Sequence, residues 1–125
     1  MTDLVNAFMG VFDPVSFALI TGGTIFGIIF GAIPGLTATL AVILLIPLSY
    51  GLEPTQGISM LVGVYIGGIS GGVVAAVLLG MPGTPSSMVT VLDGFALAKQ
   101  GRAGKALGAG VTANLAGSFI GWLFL

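Results

Sequence analysis

The sequence predicts an all-α integral membrane protein, and three observations carry that prediction. Its residues are 56% hydrophobic and only 6% charged, whereas a soluble domain carries roughly a quarter charged residues. Its apolar residues gather into runs, several of them close to the ~20 residues that a span of hydrocarbon needs. Two stretches, Pro34-Gly35-Leu36-Thr37-Ala38-Thr39 and Pro82-Gly83-Thr84-Pro85-Ser86-Ser87, interrupt those runs. Broken backbone exposes N–H and C=O groups that lipid does not satisfy, so such breaks persist only when buried in protein or lining a wet cavity. The expected fold is therefore helical, with two re-entrant or discontinuous elements.

The elements follow in order. Residues 1–12 place Leu4, Val5, Phe8, Met9 and Phe12 at helical spacing, which predicts a short interfacial helix; a frayed terminus is the alternative. Asp3 and the lack of a basic start argue against a cleaved leader. Asp13-Pro14 marks a boundary, since Pro suits the first turn of a helix. Residues 15–47 read as a helix broken at Pro34-Gly35, with a short second arm ending at Pro47. Either a re-entrant hairpin, the preferred reading, or one discontinuous helix fits. Gly23, Gly27, Gly31 and Gly35 recur every four residues, a face that lets another backbone approach.

After a polar turn containing Tyr50, Glu53 and Pro54, residues 55–80 predict a transmembrane helix. Gly63, Gly67 and Gly71, flanked by Gly68 and Gly72, form two small-residue ridges on it. The glycine face of the first segment is the expected partner. Residues 81–99 predict the second break and a short helix restarting near Ser86 or Ser87, capped by a hydroxyl, with Asp93-Gly94 as a possible kink. Residues 100–105 form a loop bracketed by Lys99, Arg102 and Lys105, the three basic residues of the chain. The positive-inside rule makes this loop cytoplasmic and Lys99, Arg102 and Lys105 topology determinants. Residues 106–125 predict a last transmembrane helix with Trp122 at interface depth. The absence of a polar tail after Leu125 suggests an incomplete chain.

With no cysteine and no histidine, thiol chemistry, disulfides, His or Cys metal sites and a Ser-His-Asp triad are excluded. The net charge of -1 gives no footprint for nucleic acid. An intramembrane enzyme would need Ser with Lys, or paired acids. Lys99 and Lys105 border a loop and no other acid lies near Asp93, so no enzyme and no cofactor is expected.

The two breaks offer backbone N–H groups, hydroxyls and helix N-termini, a combination that suits a carboxylate without a buried arginine. Pro34, Gly35, Leu36, Thr37, Thr39, Pro82, Gly83, Thr84, Pro85, Ser86 and Ser87 are the candidate substrate-binding residues. Thr90 and Asp93 are weaker candidates for coupling Na⁺ or H⁺, because acids at membrane depth usually have a function. Asp93 as a helix-terminal residue at the interface is the favoured alternative.

At these same residues the sequence resembles the large membrane subunit (TctA type) of tripartite tricarboxylate transporters. Gly31-Ala32-Ile33-Pro34-Gly35-Leu36-Thr37-Ala38-Thr39 is similar to the first family signature. Pro82-Gly83-Thr84-Pro85-Ser86-Ser87, Asp93-Gly94 and the run Lys99-Gln100-Gly101-Arg102-Ala103-Gly104-Lys105-Ala106-Leu107-Gly108 are similar to the second. The resemblance implies a multi-pass permease subunit in the bacterial inner membrane, importing carboxylates on an ion gradient. It also implies a small membrane subunit and a periplasmic solute-binding protein as partners. Family members are several times longer, so this chain would be one half of an inverted-repeat transporter. The alternative is a non-transporting scaffold or assembly subunit, which would tolerate changes at Thr37, Thr39, Ser86 and Ser87.

Overall fold

A computed structural model describes residues 2–125, without the side chains of residues 3 and 7. Residue 1, the start of the expected interfacial helix, lies outside the described residues. Among the described residues there are helices and no strands: α1 (Thr2–Val11), α2 (Pro14–Ala32), α3 (Ala38–Ser49), α4 (Pro54–Leu79), α5 (Met88–Lys99) and α6 (Ala103–Leu123). A 3-10 turn, Pro85–Ser87, leads into α5. α2, α4 and α6 are each long and apolar enough to cross a membrane, and the protein is membrane-embedded. Large apolar side chains such as Phe17, Ile25, Ile29, Ile58, Ile66 and Phe119 lie on the outside, while small residues fill the inside.

Local chemistry sets the helix ends. Asp13 and Glu53 hold extended backbone before Pro14 and Pro54, the first residues of α2 and α4. Each proline gives up an N–H that the first turn leaves unbonded anyway. α2 stops because Pro34 forces the residue before it out of helical geometry; Ile33 sits at φ -89, ψ 118. α4 ends on Gly80 in the left-handed region, φ 66, which costs a glycine little.

The central packing is backbone on backbone. A methyl at Gly27 would collide with the carbonyl oxygen of Val64, one at Gly31 with that of Gly68, one at Gly67 with that of Thr24, and one at Gly71 with that of Ile28. These contacts advance together along both helices, so α2 and α4 run parallel. The glycines that interlock, 23 and 63, 27 and 67, 31 and 71, are each forty residues apart, as are Asp13-Pro14 and Glu53-Pro54. α2 and α4 are thus quasi-equivalent helices that begin at one level.

The second ridge of α4 carries other partners. Gly68 meets Ala38, the first residue of α3, and Gly72 meets Thr84. At the other end of α3, Ser49 packs on Gly57. α3 therefore runs antiparallel to α4, and residues 15–47 form a hairpin whose tip stops partway along α4. Beyond Gly80 the chain doubles back until Gly83 and Thr84 lie beside Gly72. α5 then follows α4 outward again, with Gly94 on Val77 and Phe95 against Gly80. α6 returns alongside, its Gly110 against Val73.

Several expectations need correction. Gly35 does not continue the glycine face: the helix has already ended, and Gly35 is exposed at φ 91 with nothing near it. Pro47 does not end α3, which runs on to Ser49. The Ser49 hydroxyl donates to the Ile46 carbonyl at 2.7 Å, replacing a bond near the frayed end. α5 runs through Asp93-Gly94 as continuous helix, and Gly94 is a packing residue whose added methyl would meet Val77 at 2.8 Å. Pro54 opens α4 rather than closing the preceding turn. Lys105 lies in the first turn of α6, so the basic loop proper is shorter than residues 100–105.

Candidate functional site

The two interrupted stretches, far apart in sequence, meet in one cavity of about 420 Å³. Thr37, Ala38 and Thr39 line it from the hairpin tip, Thr84, Pro85 and Ser86 from the second tip, and Tyr65 and Ile69 from α4. Tyr65 and Ile69 stand eleven and fifteen residues past Pro54, roughly 16–22 Å along the helix at ~1.5 Å per residue. That is near the midpoint of α4, which has 26 residues. Broken backbone at this depth needs polar company, and the hydroxyls supply it.

Each tip ends in a helix N-terminus. Thr37 caps α3: its side chain accepts from the Leu40 N–H at 3.2 Å, and its carbonyl accepts from the Ala41 N–H at 3.1 Å. The N–H groups of Ala38 and Thr39 are the first-turn donors that no intrahelical carbonyl reaches. At the second tip, the Ser87 hydroxyl donates to the Thr84 carbonyl at 2.8 Å and accepts from the Thr84 N–H at 3.1 Å. The Ser87 N–H donates to the same carbonyl at 3.0 Å. Pro85 has no N–H, which leaves Ser86 to present the first-turn donor. The Thr84 and Ser86 hydroxyls sit 3.0 Å apart, a pair of oxygens at the cavity rim.

Five of the residues singled out from sequence, Thr37, Thr39, Thr84, Pro85 and Ser86, line this cavity. Ser87 is buried beneath it with its hydroxyl committed to Thr84. Gly83 is buried behind it: a methyl there would stand 2.6 Å from the Gly31 carbonyl oxygen. Pro34, Gly35, Leu36 and Pro82 shape the tips without lining the cavity. Thr90 and Asp93 belong to a different groove between α5 and α6, with Ala106, Ala109 and Gly110. Tyr65 and Ile69 were not among the sequence candidates. Tyr65 carries a polar group in the middle of a spanning segment, the one signal that marked it.

Among the described residues no charged side chain lines the cavity. Its electrostatics come from two opposed helix N-termini, each equivalent to about half a positive charge, and from hydroxyl dipoles. Such a surface attracts an anion and satisfies its oxygens with N–H and O–H donors.

This combination of parallel apolar helices and two helix tips meeting beside the middle of α4 defines an α-helical membrane protein with a solute-sized cavity that carries hydroxyls at its tips. The sequence profile of the "Tripartite tricarboxylate transporter TctA family" matches residues 17–125. The chain belongs to that family. It is also 35% identical over 125 residues to an "Uncharacterized 52.8 kDa protein in TAR-I ttuC' 3'region" of Agrobacterium vitis. That similarity covers 97% of this chain and 24% of the relative, so the chain spans about a quarter of the relative's length. No solved structure matches it.

Proposed function

We propose that this chain forms part of the permease subunit of a tripartite secondary transporter that imports tricarboxylates or related carboxylates. The observation that supports this reading best is the meeting of two helix N-termini, with their hydroxyls, in one cavity beside the middle of α4. Carboxylate oxygens would accept from the Ala38, Thr39 and Ser86 N–H groups and from the Thr39 and Ser86 hydroxyls, with the buried Thr84 hydroxyl bonded to Ser86 and Ser87 behind them. Uncharged donors bind an anion firmly enough to select it and weakly enough to release it, which a transport site needs. Tyr65 and Ile69 would form the back wall.

Import would draw on a Na⁺ or H⁺ gradient, with a small membrane subunit and a periplasmic solute-binding protein as partners. The protein would lie in the bacterial inner membrane with the Lys99–Lys105 face in the cytoplasm. Lys99, Arg102 and Lys105 are the basic residues of these 125, and none lies in the turn at residues 50–53 where α4 begins, in keeping with that orientation. Family membership supports a transporter rather than an enzyme.

The test is uptake of labelled citrate by cells carrying the full-length protein and its partner subunits. Thr39→Val and Ser86→Ala should each lower uptake about tenfold or more, as expected when a hydrogen bond to a charged group is lost. The amount of protein in the membrane should stay the same. Normal uptake by both variants would contradict the assignment.

A further inference from the structure

A second polar cavity, of about 450 Å³, lies where α2 and α4 begin. Asn6, Asp13, Ser16, Glu53, Thr55 and Gln56 supply its polar lining. The forty-residue register explains why they meet. It sets Asp13-Pro14 level with Glu53-Pro54, and Ser16 level with Gln56. Neither Asp13 nor Glu53 spends its carboxylate on a cap hydrogen bond, and among the described residues no lysine or arginine lines the cavity.

Ser16 is the second, independent observation. It is 1% exposed, and its hydroxyl has no hydrogen-bond partner among the described residues. A buried hydroxyl left unpaired destabilises the fold by its lost hydration. Thr21 and Thr24 on the same helix avoid that cost by donating to the carbonyls of Phe17 and Ile20, at 2.8 and 2.7 Å. Ser16 makes no such bond and instead lines the cavity.

We infer that this cavity binds a hard cation, with the Asp13 and Glu53 carboxylates, the Ser16 and Thr55 hydroxyls and the Asn6 and Gln56 amide oxygens as its ligand set. Two helix N-termini contribute together about one positive charge. Two carboxylates outweigh that, which leaves a site of net negative charge. Its ligands are all oxygen, the preference of hard cations, and six of them match the six to eight oxygens that Ca²⁺ takes in flexible geometry. Na⁺ shares the oxygen chemistry. Filling the site would satisfy Ser16 and tie the start of α2 to the start of α4.

The experiment is thermal unfolding of the purified full-length protein, freed of divalent ions with chelator and titrated with CaCl₂. NaCl and KCl at matched ionic strength form separate arms. A saturable rise in the unfolding midpoint is expected, with half-saturation on the order of 10⁻⁴–10⁻³ M, as in modest oxygen sites. Ser16→Ala and Glu53→Gln should each weaken the response about tenfold or more. Without added ion, Ser16→Ala should unfold no earlier than the parent, because it removes an unpaired hydroxyl. Asp13→Asn, at an exposed position, replaces any variant that fails to accumulate. A rise with NaCl beyond that with KCl, lost in the same variants, identifies Na⁺ as the occupant and supports the site. A flat response to every ion, or one that the variants leave intact, overturns it.

Discussion

Gly83 packs its backbone against the carbonyl oxygen of Gly31, so closely that an added methyl would lie 2.6 Å from that oxygen and 3.0 Å from the α-carbon of Gly72. This contact joins the tip beyond α4 to the last turn of α2. It also explains why the two interrupted stretches share a cavity. The hairpin tip rests on Gly68 and the second tip on Gly72, neighbouring steps of one ridge. Any side chain at Gly31, Gly68, Gly72 or Gly83 would push the tips apart.

Gly83→Ala and Gly31→Ala should therefore destabilise the fold by about 1–3 kcal/mol, the usual cost of overpacking. Gly22, next to the buried Gly23, has open space around it. Gly22→Ala should be neutral or stabilising by roughly 0.5–1 kcal/mol, since alanine is the better helix former. Thermal unfolding of the full-length protein in detergent checks all three. Equal effects at positions 22 and 31 would contradict the interlocked packing.

The two serines of the second tip should separate function from stability. Ser87 is buried and bonded twice to Thr84, so Ser87→Ala should cost about 1–2 kcal/mol, as a lost cap does. Ser86 is exposed at the cavity, so Ser86→Ala should leave the unfolding midpoint almost unchanged while lowering citrate uptake. The measurement pairs midpoint with uptake for each variant. The reverse pattern would mean that the tip is oriented differently.

Much of this arrangement was legible in the sequence. Pro34 and Pro82-Gly83-Thr84-Pro85 identify the interruptions because proline geometry is local and strict. Gly63, Gly67 and Gly71 declare a close helix contact through spacing alone. Other features depend on what lies across the molecule. Gly35 fits the four-residue spacing, yet Pro34 has already ended the helix, and spacing does not register that. Asp93 is near the second tip in sequence, but α5 carries it away into the groove with α6. Ser87 and Ser86 look alike as adjacent hydroxyls; only the turn Pro85–Ser87 decides which one is consumed by the backbone. Ile69 has no polar signature at all, and it joins the cavity lining because the fold brings both tips beside the middle of α4.

The proposed orientation puts Arg102 in the cytoplasm and Gly51 outside. These 125 residues contain no cysteine, so single cysteines are introduced into a full-length protein whose cysteines elsewhere have been replaced. In intact cells, an impermeant maleimide should label Gly51→Cys and leave Arg102→Cys unlabelled until the membrane is opened. The opposite pattern would reverse the assignment of faces.

The most direct test of the cavity is substrate protection. Thr39→Cys and Ser86→Cys place one thiol on each tip, and citrate in the cavity would shield both from a small maleimide. The prediction is that saturating citrate slows labelling at both positions, while labelling of Asp93→Cys in the separate groove is unchanged. Citrate-independent labelling of Thr39→Cys and Ser86→Cys, in variants that still take up citrate, would contradict the account.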